Sequence, residues 1–452
     1  MTEMISKWFG VQAAGTTVPR EIRAGITTFL AMAYILFVNP QILAPAIIIP
    51  GVTDIPAQLL SATALSAAIG SVLMGLLGRM PIALAPGMGL NAYFTYTVVL
   101  GQGLSWQTAL GAVFVSGVVF LILSVSGLRE AIVNAIPLSI KRASGAGIGM
   151  FLAFIGLQAS GIVVPVPATM IGLGDMTSAG VILSLCGLIC TAALMLRKVP
   201  GAILIGVVGV SVVAVIFNLP VFAGKAFTGF EHGVVSLPVW PHDLVGALDI
   251  RGAMDLGVAG IVFTFLFVAF FDTAGTLMGL SEVARFADQE GRIPRAGQAF
   301  ATDAIATTVG ALIGTSTTTA YMESAAGIED GGKTGLVAVT TGILFLMALF
   351  FWPLASAVPA VATAPALIML GAMLMDSVSR IDWKDIKESL PAFVTMIGMP
   401  LTFSIANGIS LGILTHVFVL LLARRGREVH PVMYGLTIVL VIKYIWMATT
   451  HA

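Results

Sequence analysis

The chain is poor in charge. Of its 452 residues, 22 are Lys or Arg and 22 are Asp or Glu, which makes 10% charged and a net charge of zero. That scarcity excludes an ordinary soluble domain, in which roughly a quarter of the residues carry charge. A neutral chain whose basic residues sit at the ends of apolar runs also excludes nucleic acid as a partner. Cysteine is scarce too: Cys186 and Cys190 lie four apart inside the apolar run LSLCGLIC, where partnerless sulfurs behave as small hydrophobes. Neither a disulfide nor a metal site is expected. The five histidines form no ligand cluster in the sequence, and there is no nucleophile–base pair or cofactor motif, so neither an enzyme nor a cofactor is expected.

What is present is apolar: 58% of the residues are hydrophobic and the mean hydropathy is +1.02. The runs follow one another from near residue 22 to near 448 with no polar module between them, which predicts a single all-α polytopic domain in a lipid bilayer. Segments able to cross or half cross about 30 Å of hydrocarbon fall near 22–38, 57–78, 86–100, 108–126, 144–160, 179–196 and 200–217. A second set follows near 255–280, 298–314, 316–330, 334–353, 360–377, 390–404 and 407–423, giving about fourteen. The polar opening leads straight into a span long enough to remain, so no cleavable signal peptide is expected.

With a cytoplasmic N-terminus, the inward loops hold Arg79, Arg129, Lys141, Arg142, Arg197, Lys198, Arg285, Arg292, Arg295, Lys333, Arg380, Lys384 and Lys387. The outward loops hold only Lys225 and Arg251, both in the 218–252 connection. This asymmetry predicts that orientation in a cell (inner) membrane. It also requires 390–423 to be two segments, divided at SIANGIS, so that Arg424, Arg425 and Arg427 stay inside. Residues 431–448 then form a further helix that either crosses or lies at the interface. IDWKDIKESL reads as an amphipathic surface helix.

AGITTFLAMAY from Ala24 echoes AGIVFTFLFVAF from Ala259, and AVFVSGVVFL from Ala112 echoes AVTTGILFL from Ala338. Halves with an odd number of spans insert in opposite senses, giving an inverted repeat; chance similarity between apolar strings is the other reading. The third segment of each half is broken. MPIALAPGMGLNAYFTY places Pro86, Gly87, Met88 and Gly89 before Asn91, and IGTSTTTAYMESAAGIEDGG places Thr315 to Thr319 before Glu323. Freed backbone groups and facing half-helix N-termini at such breaks can meet a polar ligand.

An acidic residue within a span costs about 2.5–3.5 kcal/mol for Asp at a helix centre, so each needs a reason. Asp272 interrupts IVFTFLFVAFFDTAGTLMGL and Glu323 follows the Thr-rich break, each among small or hydroxyl residues. Both are read as functional, suited to exchange a proton and to accept N–H groups of a planar heterocycle. Asp303 is read as a helix-terminal or packing carboxylate. Asn91 is equally consistent with a ligand-binding amide and with a helix cap. FVNPQIL, around Asn39 and Pro40, reads as the end of the first span, and the glycines of GAGIGMF and SGLRE as helix contacts or turns.

FVNPQIL, IALAPGMGLNAYF, FFDTAGTL, GTSTTTAYMESAAG and MPLTFSIANGI occur here in that order. Together they resemble the AzgA-like purine permeases, a branch related to the nucleobase–cation symporter-2 and nucleobase–ascorbate transporters, over nearly the whole chain. The resemblance implies fourteen segments in two inverted repeats, 20–217 and 253–423, joined by 218–252 and followed by 424–452. Segments 1–4 and 8–11 would form a core and 5–7 and 12–14 a gate, with short strands and half helices in segments 3 and 10. It implies alternating-access import of a purine, guanine or hypoxanthine before adenine, with a proton as coupling ion and a homodimer through the gates. The substrate-binding residues it implies are Asp272, Glu323, Met322, Tyr321, Thr276, Asn91, Gly89 and Met88, with Asp272 or Glu323 taking the proton; Phe154 and Phe403 are placed on the gate side. An anion carrier or channel of the same architecture is the rival reading, disfavoured by the two carboxylates.

Overall fold

The computed structural model describes residues 2–126, 137–222, 224–227, 229, 233–255, 257–284 and 295–450. Arg129, Arg285 and Arg292, and the part of SGLRE after Ser126, lie outside them. The chain opens with α1 (Thr2–Phe9) and α2 (Val18–Met32), whose first turn holds Pro19 where no N–H is needed. After Ala33 and Tyr34 the backbone resumes as α3 (Ile35–Leu43). Then come α4 (Ile55–Leu73), with a π-helical turn to Gly78, strand β1 (Leu84–Pro86), and the half helix α5 (Met88–Ala92), which continues as a π-helical stretch to Val99. α6 (Trp106–Ser126), α7 (Leu138–Ala159), the hairpin β2 (Val163–Val166) and β3 (Met170–Leu173), α8 (Ala179–Leu196) and α9 (Ala202–Ile216) complete the first half.

The second half also contains a strand followed by a half helix. A short α10 (Ile250–Ala253) leads to α11 (Ala259–Ala284) and α12 (Ala296–Ile313). Strand β4 (Thr318–Ala320) and the half helix α13 (Ser324–Glu329) follow, then α14 (Gly335–Ala348), α15 (Trp352–Ser356), α16 (Ala360–Leu374), α17 (Ile386–Leu401), α18 (Ile405–Leu422) and α19 (Pro431–Thr450). Among the described residues nine helical stretches are long and apolar enough to cross a membrane, from Val18–Leu43 to Ile405–Leu422. Side chains such as Ile182, Ile189, Leu196, Ile205, Val212 and Ile216 are exposed while Thr28, Asn39, Gln58, Thr63 and Thr341 are buried. This inversion of the soluble pattern is what lipid as solvent requires. The protein is a multi-pass, mostly helical membrane protein.

The described chain divides into two compact units. The first draws on Met1–Val125 and Ile155–Met369. Its helices approach closely through small residues: a Cβ on Gly335 would stand 2.0 Å from the Gly75 carbonyl oxygen, and one on Gly25 would stand 2.6 Å from Thr340 Cβ. At the N-terminus of α14, the buried Glu21 carboxylate accepts the Lys333 and Thr334 N–H groups at 2.9 and 3.0 Å and the Thr334 hydroxyl at 2.6 Å. That satisfies donors which a helix start leaves unpaired and places negative charge at its positive end.

The second unit draws on Ser126–Phe154 and Leu370–Ala452. Its α17 and α18 are divided at the expected place: Phe403 turns the chain at a φ of 48°, and Ser404 caps α18 by accepting the Asn407 N–H at 3.2 Å. Two local expectations change. IDWKDIKESL is not one surface helix, because Asp385 caps α17 through the Lys387 N–H at 3.1 Å, leaving IDWKD outside the helix and IKESL as its first turns. FVNPQIL does close the first span, but Asn39 and Pro40 lie within α3 and the span runs on to Leu43 instead of ending near 38. Residues 163–173, between the segments near 144–160 and 179–196, form the β2–β3 hairpin, which admits Pro165 because it has free edges.

Candidate functional site

The two broken segments meet, as expected. β1 and β4 pair antiparallel, with Leu84 opposite Ala320 and Pro86 opposite Thr318. The pairing extends beyond the strands: the Tyr321 N–H donates to the Ala83 carbonyl at 3.1 Å and the Gly87 N–H to the Thr317 carbonyl at 2.8 Å. Backbone groups that would otherwise be unpaired inside a membrane are thereby satisfied. Proline is tolerated at Pro86 because this two-stranded ribbon has free edges. A Cβ at Gly87 would come within 2.9 Å of Thr319 Cγ2, so the close crossing depends on glycine there.

From this ribbon the half helices α5 and α13 begin, with Gly87 and Glu323 as their N-caps. Met88 and Gly89 are therefore the first residues of α5. Tyr321, Met322 and Glu323 make up the link from β4 to α13. The Tyr321 hydroxyl donates to the Pro86 carbonyl at 2.5 Å, fastening that link across the ribbon. Met322 is 41% exposed, and a Cβ on Gly279 would stand 2.9 Å from Met322 Cε, so this side chain lies over α11.

Asp272 and Thr276 stand one turn apart on α11, the carboxylate partly exposed and the hydroxyl buried. Asp272 is close enough to Glu323 for their charges to interact. No hydrogen bond or ion pair joins the Asp272 carboxylate to another of the described residues. Glu323 accepts the hydroxyl proton of Tyr34, which is fully buried at the junction of α2 and α3. Among the described residues no Lys or Arg forms an ion pair with Asp272, Glu323 or Asp303.

Asp303 is a packing carboxylate, placed well inside α12 instead of at its end. It accepts the Ala320 N–H at 2.9 Å and the Thr273 hydroxyl at 2.7 Å, and Thr273 also meets the Thr319 hydroxyl at 3.1 Å. α11, α12 and β4 are thereby fixed to one another beside Asp272.

Asn91 is not a cap, because Gly87 holds that position and Asn91 is the fourth residue of α5. It is fully buried, and its amide donates to the Asn39 side-chain oxygen. Asn39 donates in turn to the Thr63 hydroxyl at 2.7 Å and the Thr315 hydroxyl at 3.1 Å. The structure thus groups Met88, Gly89, Tyr321, Met322, Glu323, Asp272 and Thr276 around the ribbon and turns the Asn91 amide toward segment 1. Phe154 and Phe403 belong to the second unit, where their rings pack edge to face at 5.4 Å.

Sequence reasoning overlooked Tyr34 and read Asn39 only as part of the end of a span. Both sit in apolar strings, AMAYILF and LFVNPQ, and the one available signal was a polar group where a span should be apolar. Chemically, the site combines two carboxylates that can accept N–H groups or hold a proton with peptide groups at half-helix starts.

Known structures place the fold. The chain is similar to the transmembrane domain of a cyanobacterial bicarbonate transporter, BicA, with a TM-score of 0.63, covering 86% of this chain and 97% of that one at 15% identity. At that identity the likeness defines a shared transporter fold. Residues 19–411 match the Permease family, and the chain belongs to it. It is 45% identical to the guanine/hypoxanthine permease PbuG of Bacillus subtilis, covering 97% of this chain and 99% of the relative. It is 38% identical to the adenine permease AdeP of Escherichia coli, covering 98% and 96%. The protein is a transporter, not an enzyme.

Proposed function

We propose that this permease imports a purine nucleobase together with a proton across the cytoplasmic membrane. The observation that carries the reading is the pair of carboxylates beside the β1–β4 ribbon: Glu323 at the start of α13, and Asp272 next to Thr273, whose hydroxyl meets that of Thr319 in β4 at 3.1 Å. A carboxylate accepts hydrogen bonds when ionised and donates one when protonated. It can therefore bind the N–H edge of a planar base and carry the coupling proton. The names of the relatives, a guanine/hypoxanthine permease and an adenine permease, support a purine, and the oxopurines are favoured on the resemblance of FFDTAGTL and TSTTT.

In this reading Asp272 and Glu323 hold base and proton, Thr276, Tyr321 and Met322 line the pocket, and Met88, Gly89 and the start of α5 close it from the other side. Asn91 supports α5. Base and proton enter from outside, the core segments shift against the gate segments, and both leave to the cytoplasm with the N-terminus on that side. An anion carrier calls for positive charge at the facing half helices; two carboxylates without an ion-paired cation among the described residues favour a neutral or donor-rich ligand.

The test is uptake of radiolabelled hypoxanthine into cells lacking their own purine carriers, with unlabelled guanine, adenine, xanthine and uracil as competitors. Saturable uptake that guanine suppresses and a protonophore abolishes is expected. Asp272→Asn and Glu323→Gln should each lower it at least tenfold. Normal transport by both variants, or uptake indifferent to the proton gradient, would refute the mechanism.

A further inference from the structure

Segment 1 carries the one side chain that meets the Glu323 carboxylate from outside segment 10 among the described hydrogen bonds, and nothing above gives that side chain a role in transport. Tyr34 is fully buried, and it lies where the helix is interrupted between α2 and α3. Its hydroxyl donates to Glu323 Oε1 across 289 residues of sequence. Five residues further on, Asn39 holds the Asn91 amide of α5 and the Thr315 hydroxyl that leads into β4. The same short helix therefore touches both broken segments.

We propose that Tyr34 is a positioning residue that sets the proton affinity of Glu323 and turns its free oxygen toward the ligand; the ligand half of the statement rests on the purine reading above. A hydroxyl that donates to a carboxylate stabilises the ionised form and occupies one oxygen. Oε1 is held by Tyr34 and the residue's own peptide N–H also reaches the carboxylate, and the acceptor capacity that remains can take a proton or accept a ligand N–H. The groups facing Glu323 are few. The Glu323 charge is felt by Asp272 on α11 and by the Tyr321 hydroxyl on the same link. Asp303 lies behind Asp272 and is occupied by Ala320 and Thr273. At the far end of α13, Asp330 is paired with Arg23 at 2.8 Å. Tyr34 is thus the side-chain donor whose bond favours the ionised over the protonated state of Glu323. A protonated carboxyl still accepts through its carbonyl oxygen, but more weakly, so a proton arriving at Glu323 loosens the Tyr34 bond and links loading of the site to the α2–α3 junction.

Tyr34→Phe removes the donor and keeps the ring. Two readouts apply to the full-length protein. The first is the pH dependence of hypoxanthine uptake. Without the donor the ionised carboxylate is less favoured, so Glu323 keeps its proton to higher pH, and the alkaline fall of uptake should move up by about one pH unit, tenfold in proton affinity. The apparent KM should rise severalfold more than the maximal rate falls. The second readout needs no substrate. It is the pH-difference infrared spectrum of the purified protein, in which the carboxylic C=O band of Glu323 is identified by its loss in Glu323→Gln. That band should shift in frequency and in titration midpoint in Tyr34→Phe.

An unmoved band and an unmoved pH profile would overturn the role of Tyr34. A moved band in a protein that takes up no purine would refute the purine reading and leave the Tyr34–Glu323 linkage standing. Should Tyr34→Phe fail to fold, the wild type with ring-labelled tyrosine decides the matter. A tyrosine band that titrates with Glu323 and falls silent in Glu323→Gln supports the linkage, and one that ignores Glu323 overturns it.

Discussion

Asp303 Oδ1 accepts the backbone N–H of Ala320 at 2.9 Å, so an acid on one helix holds the strand that leads into the site. The same carboxylate takes the Thr273 hydroxyl, the neighbour of Asp272. Asp303→Ala would leave a buried peptide N–H without an acceptor. Hydrogen bonds to a charged group are worth about 1.5–3 kcal/mol each, so thermal melts of purified protein should show a large loss of stability. Asp303→Asn should recover part of it, because its amide oxygen can still accept from Ala320. Uptake should fall in both variants, with a greater change in maximal rate than in proton dependence.

Asn39 and Asn91 form the second tie. Each single change to Ala should destabilise the protein, and the double variant should lose less than the sum. Side-chain hydrogen bonds between membrane helices couple by about 0.6 kcal/mol, seldom above roughly 2 kcal/mol. A double-mutant cycle on melting free energies should return a coupling in that range. A coupling of zero would mean that the two amides act independently.

Gly335 meets Gly75 so closely that a methyl group has no room. Gly335→Ala should separate α14 from the end of α4 and cost about 1–3 kcal/mol, the usual range for overpacking. Melting temperature and folded yield should both drop. Gly209, whose Cβ would meet nothing within 4 Å, provides the control: Gly209→Ala should leave both unchanged.

The parts of this architecture that were legible in the sequence were those with a local cost. Asp272 and Glu323 stood out because a carboxylate in an apolar run demands a purpose. The division at SIANGIS could be read because small polar residues and three following arginines gave the same answer. The meeting of segments 3 and 10 followed from two similar breaks at corresponding places. Tyr34 and Asn39 were not legible because a hydroxyl or an amide in a span costs less, and their partners are remote: Glu323 is 289 residues from Tyr34, and Thr315 is 276 from Asn39. Asn91 was ambiguous because a five-residue half helix leaves every polar residue near an end. Only the structure shows that Gly87 takes the cap and frees Asn91 for packing. The β2–β3 hairpin was hidden by Pro165 and Pro167, which read as loop.

The ribbon between residues 83 and 87 and residues 317 and 321 is held by main-chain N–H and carbonyl groups. Apart from proline, no substitution deletes a peptide group. The hydrogen bonds of the ribbon are therefore out of reach of most side-chain changes, Gly87 apart, and on the proposed reading variation that alters which ligand is accepted accumulates around it, at Thr276, Met322 and Met88. A saturation screen for altered substrate choice should return hits at that rim and leave the strand positions silent, and a family built on this plan can change what it carries while keeping the device that carries it.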